Sequence, residues 1–196
     1  MININNNEKE INLSIVGLNK DIVLKNLEWV EVCEGAVVCF TGNRPASLPW
    51  KHNENCDMFK EFRVNMKFLL EELVKKGVKK FISGMAMGFD IIMAEIVLEL
   101  KADYAIELEG ALPCIGQEDK WSSVYKARYQ EILKRLDKVT LVSNSRYFDG
   151  CFHVRNHYMV DNSSLVIAGS FKSGGGTAST IQYAKKHNKP LIVFGF

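Results

Sequence analysis

Three stretches of this chain place glycine beside hydroxyl, amide, carboxylate or guanidinium side chains at or shortly after the ends of short apolar runs. They are Thr41-Gly42-Asn43-Arg44-Pro45, Ser83-Gly84-Met85-Ala86-Met87-Gly88-Phe89-Asp90 and Ser173-Gly174-Gly175-Gly176-Thr177. Glycine lets backbone amides approach a ligand closely, and the first amides of a helix present the positive end of its dipole. Gly174, Gly175, Gly176, Thr177 and, one turn on, Thr180 therefore read either as a phosphate cradle or as a flexible turn with a capping threonine. Asp90, at a helix start, either caps that helix or accepts ribose hydroxyls. Arg44 offers a bidentate anion clamp or a surface ion pair, and Arg155-Asn156 invites the same two readings. Neither G-x-G-x-x-G nor the P-loop pattern G-x-x-x-x-G-K-[ST] occurs, so the standard dinucleotide and NTPase fingerprints are absent.

Other chemistries find less support. His153, His157 and Asp161 recur every four residues on one helical face, but such a stripe spans more than two turns and cannot close on one ion. We expect no metal and no cofactor. The five cysteines are scattered without a C-x-x-C pair or an adjacent histidine, which suits reduced thiols in a cytoplasm better than a disulfide framework or a thiol nucleophile.

The elements that carry these loops follow from hydrophobic patterning. Apolar runs at Val37–Phe40, Phe81–Ser83, Ile106–Leu112, Val139–Val142, Leu165–Ala168 and Leu191–Phe194 alternate with helical patterns. The helices are expected over about 57–76, 90–100, 122–136, 151–160 and 177–187, the first capped by Asp57 and ended by Gly77. Short β-branched strands alternating with helices imply an α/β, Rossmann-like, mostly parallel sheet with helices on both faces. In such sheets ligands sit at the carboxyl ends of the strands, where the three stretches fall. Residues 1–35 stand apart as an N-terminal appendage: alternation at Ile11, Leu13 and Ile15, polar Asn19-Lys20-Asp21 and a second apolar stretch suggest a β-hairpin, while Val23, Leu27 and Val30 are also spaced for a short helix. Residues 36–196 form the main domain.

Composition bounds the function. With 196 residues, 25 Lys+Arg and 23 Asp+Glu, the chain suits one domain and lacks the basic excess of a protein that coats a polyanion. No apolar run reaches a membrane-spanning length, and the Asn-rich start has no secretory pattern.

Taken in order, the loops resemble the YpsA-like branch of the SLOG superfamily, which also holds the DNA-processing protein DprA/Smf and the LOG cytokinin-activating enzymes. The resemblance rests on Thr41-Gly42-x-Arg44-Pro45, Ser83-Gly84-Met85-Ala86-x-Gly88-x-Asp90 with Ala94-Glu95, Pro113-x-x-x-Gln117-Glu118-x-x-Trp121, Arg155-Asn156-x-x-Met159-Val160-Asp161 and Gly175-Gly176-Thr177-x-x-Thr180, and covers roughly residues 36–196. It implies a Rossmann-like domain that binds nucleotides or their derivatives, commonly as a homodimer or higher homo-oligomer. Carried over, the site comprises Thr41, Gly42, Arg44, Ser83, Gly84, Met85, Asp90, Pro113, Gln117, Glu118 and Gly174 to Thr177. Side-chain chemistry then gives the glycine amides and Thr177 to phosphate, Arg44 to its charge, and Asp90 or Glu118 to ribose or base; Trp121 either stacks on a base or joins the core.

One departure matters. LOG-type enzymes resemble P-G-G-x-G-T-x-x-E, with the glutamate serving N-glycosidic cleavage; here Thr180 stands at that position and Ser173 replaces the proline. A threonine cannot serve as a carboxylate base near neutral pH. The leading expectation is therefore binding of a nucleotide-derived small molecule, an ADP-ribose-like or cyclic nucleotide signal, for sensing or sequestration. A LOG-type N-glycosidase is the alternative, and a DprA-like single-stranded DNA binder ranks last on charge.

Overall fold

The computed structural model describes residues 1–4 and 9–195; residues 5–8, within and just after the Asn-rich start, and Phe196 lie outside them. Seven strands form one sheet, every neighbouring pair parallel: β2 (Glu10–Ser14), β4 (Ala36–Gly42), β5 (Val78–Ser83), β6 (Glu107–Leu112), β7 (Lys138–Leu141), β8 (Leu165–Gly169) and β9 (Leu191–Gly195). Their order is β2-β9-β8-β4-β5-β6-β7. Between them run α2 (Asp57–Lys75), α3 (Phe89–Leu100), α4 (Ser123–Leu133), α5 (Cys151–Asp161) and α6 (Gly175–Lys186). This is the Rossmann-like fold expected from the alternation of strand and helix patterns.

Because side chains alternate across a strand, the sheet feeds two apolar clusters. Val38 and Phe40 of β4, with Phe81 of β5, share one cluster with Phe59, Phe62, Met66, Leu69, Leu70 and Leu73 of α2. Cys39 and Ile82, from the same strands, join Met159 and Val160 of α5 and Ala184 of α6 in the other. Helix α3 is buried almost all round, wedged between α2 and the sheet, which explains its nearly unbroken apolar sequence.

Of the two readings open for residues 1–35, the described residues form the short helix rather than the hairpin. Helix α1 (Lys20–Leu27) occupies the second half of this stretch, with Val23 and Leu27 buried and the Asn19 side chain accepting the Ile22 amide at 3.0 Å. The same polar side-chain chemistry serves turns and helix caps, so Asn19-Lys20-Asp21 signals both. The alternating Ile11 and Leu13 belong to β2, an outer strand of the main sheet paired with β9. A separate two-stranded antiparallel ribbon joins β1 (Ile2–Ile4) to β3 (Val30–Val32). A second correction concerns α2, where Cys56 is the cap residue and Asp57 the first helical residue. Among the described residues, no helix is long and apolar enough to cross a membrane.

Candidate functional site

From β4 the chain builds outward through β5, β6 and β7, then returns to the other side of β4 for β8 and β9. The strand order reverses between β4 and β8, where open α/β sheets leave a crevice at the strand carboxyl ends. A cavity of about 250 Å³ opens there. The end of β4 and the residues just after it contribute Thr41, Gly42, Asn43 and Arg44; the turn into α3 and its first turn contribute Ala86 and Asp90; α5 gives Phe152, Arg155 and Asn156; the β8–α6 loop gives Lys172, and the start of α6 Gly176 and Thr177.

Asn43 holds this crevice in register. It is buried, its Oδ1 accepts the Phe171 amide at 2.6 Å, and its Nδ2 donates to Thr177 Oγ1 at 3.3 Å. Its backbone amide donates to Gly169 O at 3.1 Å, and its carbonyl accepts the Phe89 amide at 3.2 Å. One residue thus ties β4 to β8 and to the starts of α3 and α6.

The electrostatics are dominated by cations. Arg155 is buried at 4% exposure, donating to the Gly84 carbonyl and, through Nε, to Asn156 Oδ1 at 2.8 Å. That approach explains Gly84: a Cβ there would meet the Arg155 guanidinium carbon and the Asp90 carboxylate at 2.6 Å. Arg44 has a buried Nη1 with no hydrogen-bond partner. Against these charges stands Asp90, also buried. Desolvation pushes its carboxyl up to about 6, although Arg155, Arg44 and the Ala86 and Gly42 amides all favour the charged form. Burial lowers both arginines from their ordinary value, with Asp90 opposing. Just before the wall residues Gly176 and Thr177, Gly174 and Gly175 adopt positive φ of 72° and 80°, a conformation open to glycine, where the chain enters α6.

A second cavity of about 570 Å³ adjoins the first, and Arg44 and Phe152 line both. Its other walls are Met87, the β6–α4 loop from Cys114 to Trp121, and Arg146 with Tyr147. The Phe152 ring lies 5.8 Å from the Arg44 guanidinium and 5.9 Å from that of Arg155, so it forms the partition under both cations.

Of the residues singled out in the sequence, Thr41, Gly42, Arg44, Asp90, Arg155, Asn156, Gly176 and Thr177 line the first cavity; Gln117 and Trp121 line the second. The others line neither cavity. Ser83 Oγ accepts the Met85 amide at 3.1 Å and donates to Asp90 O at 2.9 Å, pinning the turn. Thr180 Oγ1 donates to Gly176 O and accepts from Asn156, both at 2.8 Å, so its hydroxyl is committed. Glu118 accepts from Gln130 at 3.3 Å, while Pro113, Gly174 and Gly175 line neither cavity. The sequence reading overlooked Asn43, Lys172 and Phe152. Asn43 was legible as the polar residue inside the first stretch; Phe152 carried no local signal. His157 stacks on Tyr183 at 3.7 Å, and Tyr183 donates to Asp161 at 3.1 Å, away from both cavities.

A model of the YpsA family, described as the YspA SLOG family, matches residues 38–192. The chain belongs to this family. The SLOG chain is 26% identical over 132 residues to a UPF0398 protein of Macrococcus caseolyticus, covering 66% of this chain and 71% of the relative. It is 30% identical over 131 residues to the SPbeta prophage-derived protein YoqJ of Bacillus subtilis, covering 60% of this chain and 77% of that one. Among solved structures, DNA processing protein A of Helicobacter pylori, described for its single-stranded DNA binding mode, superposes with a TM-score of 0.55 at 21% identity over 89% of this chain and 68% of its own. DNA processing protein A of Streptococcus pneumoniae gives 0.55 at 14% identity, over 81% of this chain and half of its own. These likenesses agree with the SLOG assignment at the level of fold.

Proposed function

We propose that this SLOG chain binds a nucleotide-derived small molecule through its phosphate, for sensing or sequestration. The observation that carries this reading is the crevice between β4 and β8: Arg44, Arg155, Lys172 and the first residues of α6 line it, Arg44 Nη1 has no hydrogen-bond partner, and one carboxylate, whose charge burial disfavours, opposes them. Such a site attracts an anion without a basic surface. ADP-ribose-like and cyclic nucleotide signals suit two adjoining cavities, one polar and one with aromatic walls. A cytoplasmic location and a homo-oligomer, open to light scattering, complete the proposal.

Thermal shift and calorimetry against ADP-ribose, cyclic ADP-ribose isomers and nucleoside monophosphates test it. Saturable binding with the ligand recovered intact is expected; no shift at millimolar ligand overturns it. One observation favours the N-glycosidase as a second reading: Asp90, a buried carboxyl held near 6 in the cavity, has the profile of a general acid or base. Release of free base from AMP would replace binding by cleavage. A single-stranded oligonucleotide forms the third arm, given what is described for the Helicobacter pylori protein; displacement of the small molecule by it would favour DNA.

A further inference from the structure

Besides Arg44, a second residue in the walls of the second cavity carries a polar atom without a partner. Gln117 is 9% exposed, and its Nε2 donates to the Met85 carbonyl and to Tyr129 Oη, each at 3.3 Å. A carbonyl only accepts, so the amide nitrogen must face Met85 and the orientation of the side chain is fixed. Its Oε1 is left buried with no donor. A buried acceptor without a donor costs about 1–3 kcal/mol, a cost that a donating ligand removes. Around it the cavity offers faces for a flat ring: Trp121, set edge-on to Tyr129 at 5.3 Å, Phe152, and Tyr147, which is 66% exposed at the rim and 6.1 Å from Phe152. Exposed aromatic surface beside a cavity is area that a stacked base would cover.

We propose that this cavity is a base subsite selective for rings bearing an exocyclic amino group, with Gln117 Oε1 accepting its N–H. The inference rests on the phosphate-binding reading, since Arg44 and Phe152 join the two cavities and place a base here when phosphate occupies the other. Adenine and cytosine both present such an amine. Hypoxanthine and uracil put a carbonyl at the same ring position, setting acceptor against acceptor.

Calorimetry with pyrophosphate, ADP, IDP, CDP and UDP separates the outcomes. Expected is binding of pyrophosphate together with at least about tenfold tighter binding of ADP over IDP, CDP over UDP, or both, the pair that discriminates naming the ring. In Gln117→Leu, whose fold is checked by thermal unfolding, that ratio should collapse toward one. Equal affinities within both pairs for the wild-type protein overturn the subsite and leave the phosphate reading standing, without reliance on any variant. A uniform loss for all four nucleotides in Gln117→Leu, with the ratio kept, also overturns it. Failure of pyrophosphate and every nucleotide to bind removes the underlying reading as well.

Discussion

Asp90 gives the sharpest test of the electrostatics, through the pH dependence of stability. Its carboxyl is held at about 6 in the folded chain against 3.8 for the ordinary group, because burial outweighs the two guanidinium groups and the backbone amides that favour charge. Between these values the native state binds more protons than the unfolded state, so stability falls as pH rises. The contribution is fully present below about pH 4 and lost above about pH 6. At 1.36 kcal/mol per unit, the two-unit shift amounts to roughly 3 kcal/mol across that window. Asp90→Asn removes the titration while keeping a side-chain carbonyl for the Gly42 and Ala86 amides. Urea unfolding of both proteins at intervals from pH 4 to 7.5 should show the wild type losing about 3 kcal/mol relative to the variant. Groups of opposite sign cancel in that difference. Glu109 is one of them, held down to about 2 by Lys80, Thr140 and Tyr158 against the cost of its burial. Parallel curves, or a wild type that gains on the variant with rising pH, would refute the ordering of burial over ion pairing at this site.

The remaining perturbations address the same crevice. Arg44→Gln removes the cation whose Nη1 has no hydrogen-bond partner and should weaken binding of pyrophosphate or ADP-ribose about ten- to a hundredfold by calorimetry. Asn43→Ala deletes the side-chain bonds to Phe171 and Thr177 and should cost about 2–3 kcal/mol in urea unfolding. Asn43→Asp keeps an acceptor for Phe171 but adds a negative charge to the cavity, so it should lose anion binding by a larger factor than Asn43→Ala does. Gly84→Ala drives a methyl group against Arg155 and Asp90 and should lower stability by about 1–3 kcal/mol, read from the urea midpoint.

How legible each feature was in the sequence follows the range of the physics that fixes it. The loops between strands and helices are local: glycine where backbone must approach closely, a hydroxyl or carboxylate at a helix start. Arg44, Asp90, Gly176 and Thr177 were therefore readable as types at positions. Phe152 lines the site because α5 lies beside the reversal in strand order, a non-local arrangement with no sequence pattern of its own. Ser83 and Thr180 show the converse, since small hydroxyls that read as ligand donors are consumed by the backbone and by Asn156. At the amino terminus, alternation of Ile11 and Leu13 correctly marked a strand, but its partner is β9, about 180 residues away at the other end of the chain, and no turn residue could indicate that.

A chain with 25 positive and 23 negative side chains has no field strong enough to gather a polyanion along its surface. The proposed anion site in the crevice needs little net charge. Arg155 is neutralised only in part, by a carboxylate that burial inclines to protonate, and Arg44 keeps a donor unused. Moving phosphate from water into this place would satisfy that donor and favour the neutral form of Asp90, so binding should take up protons near pH 6 and weaken above it. A surface that held nucleic acid through scattered lysines would instead respond chiefly to salt, with little dependence on Asp90. The two readings thus part on a measurable point: the pH dependence of affinity in the wild type, and its disappearance in Asp90→Asn, belong to a pocket for one nucleotide.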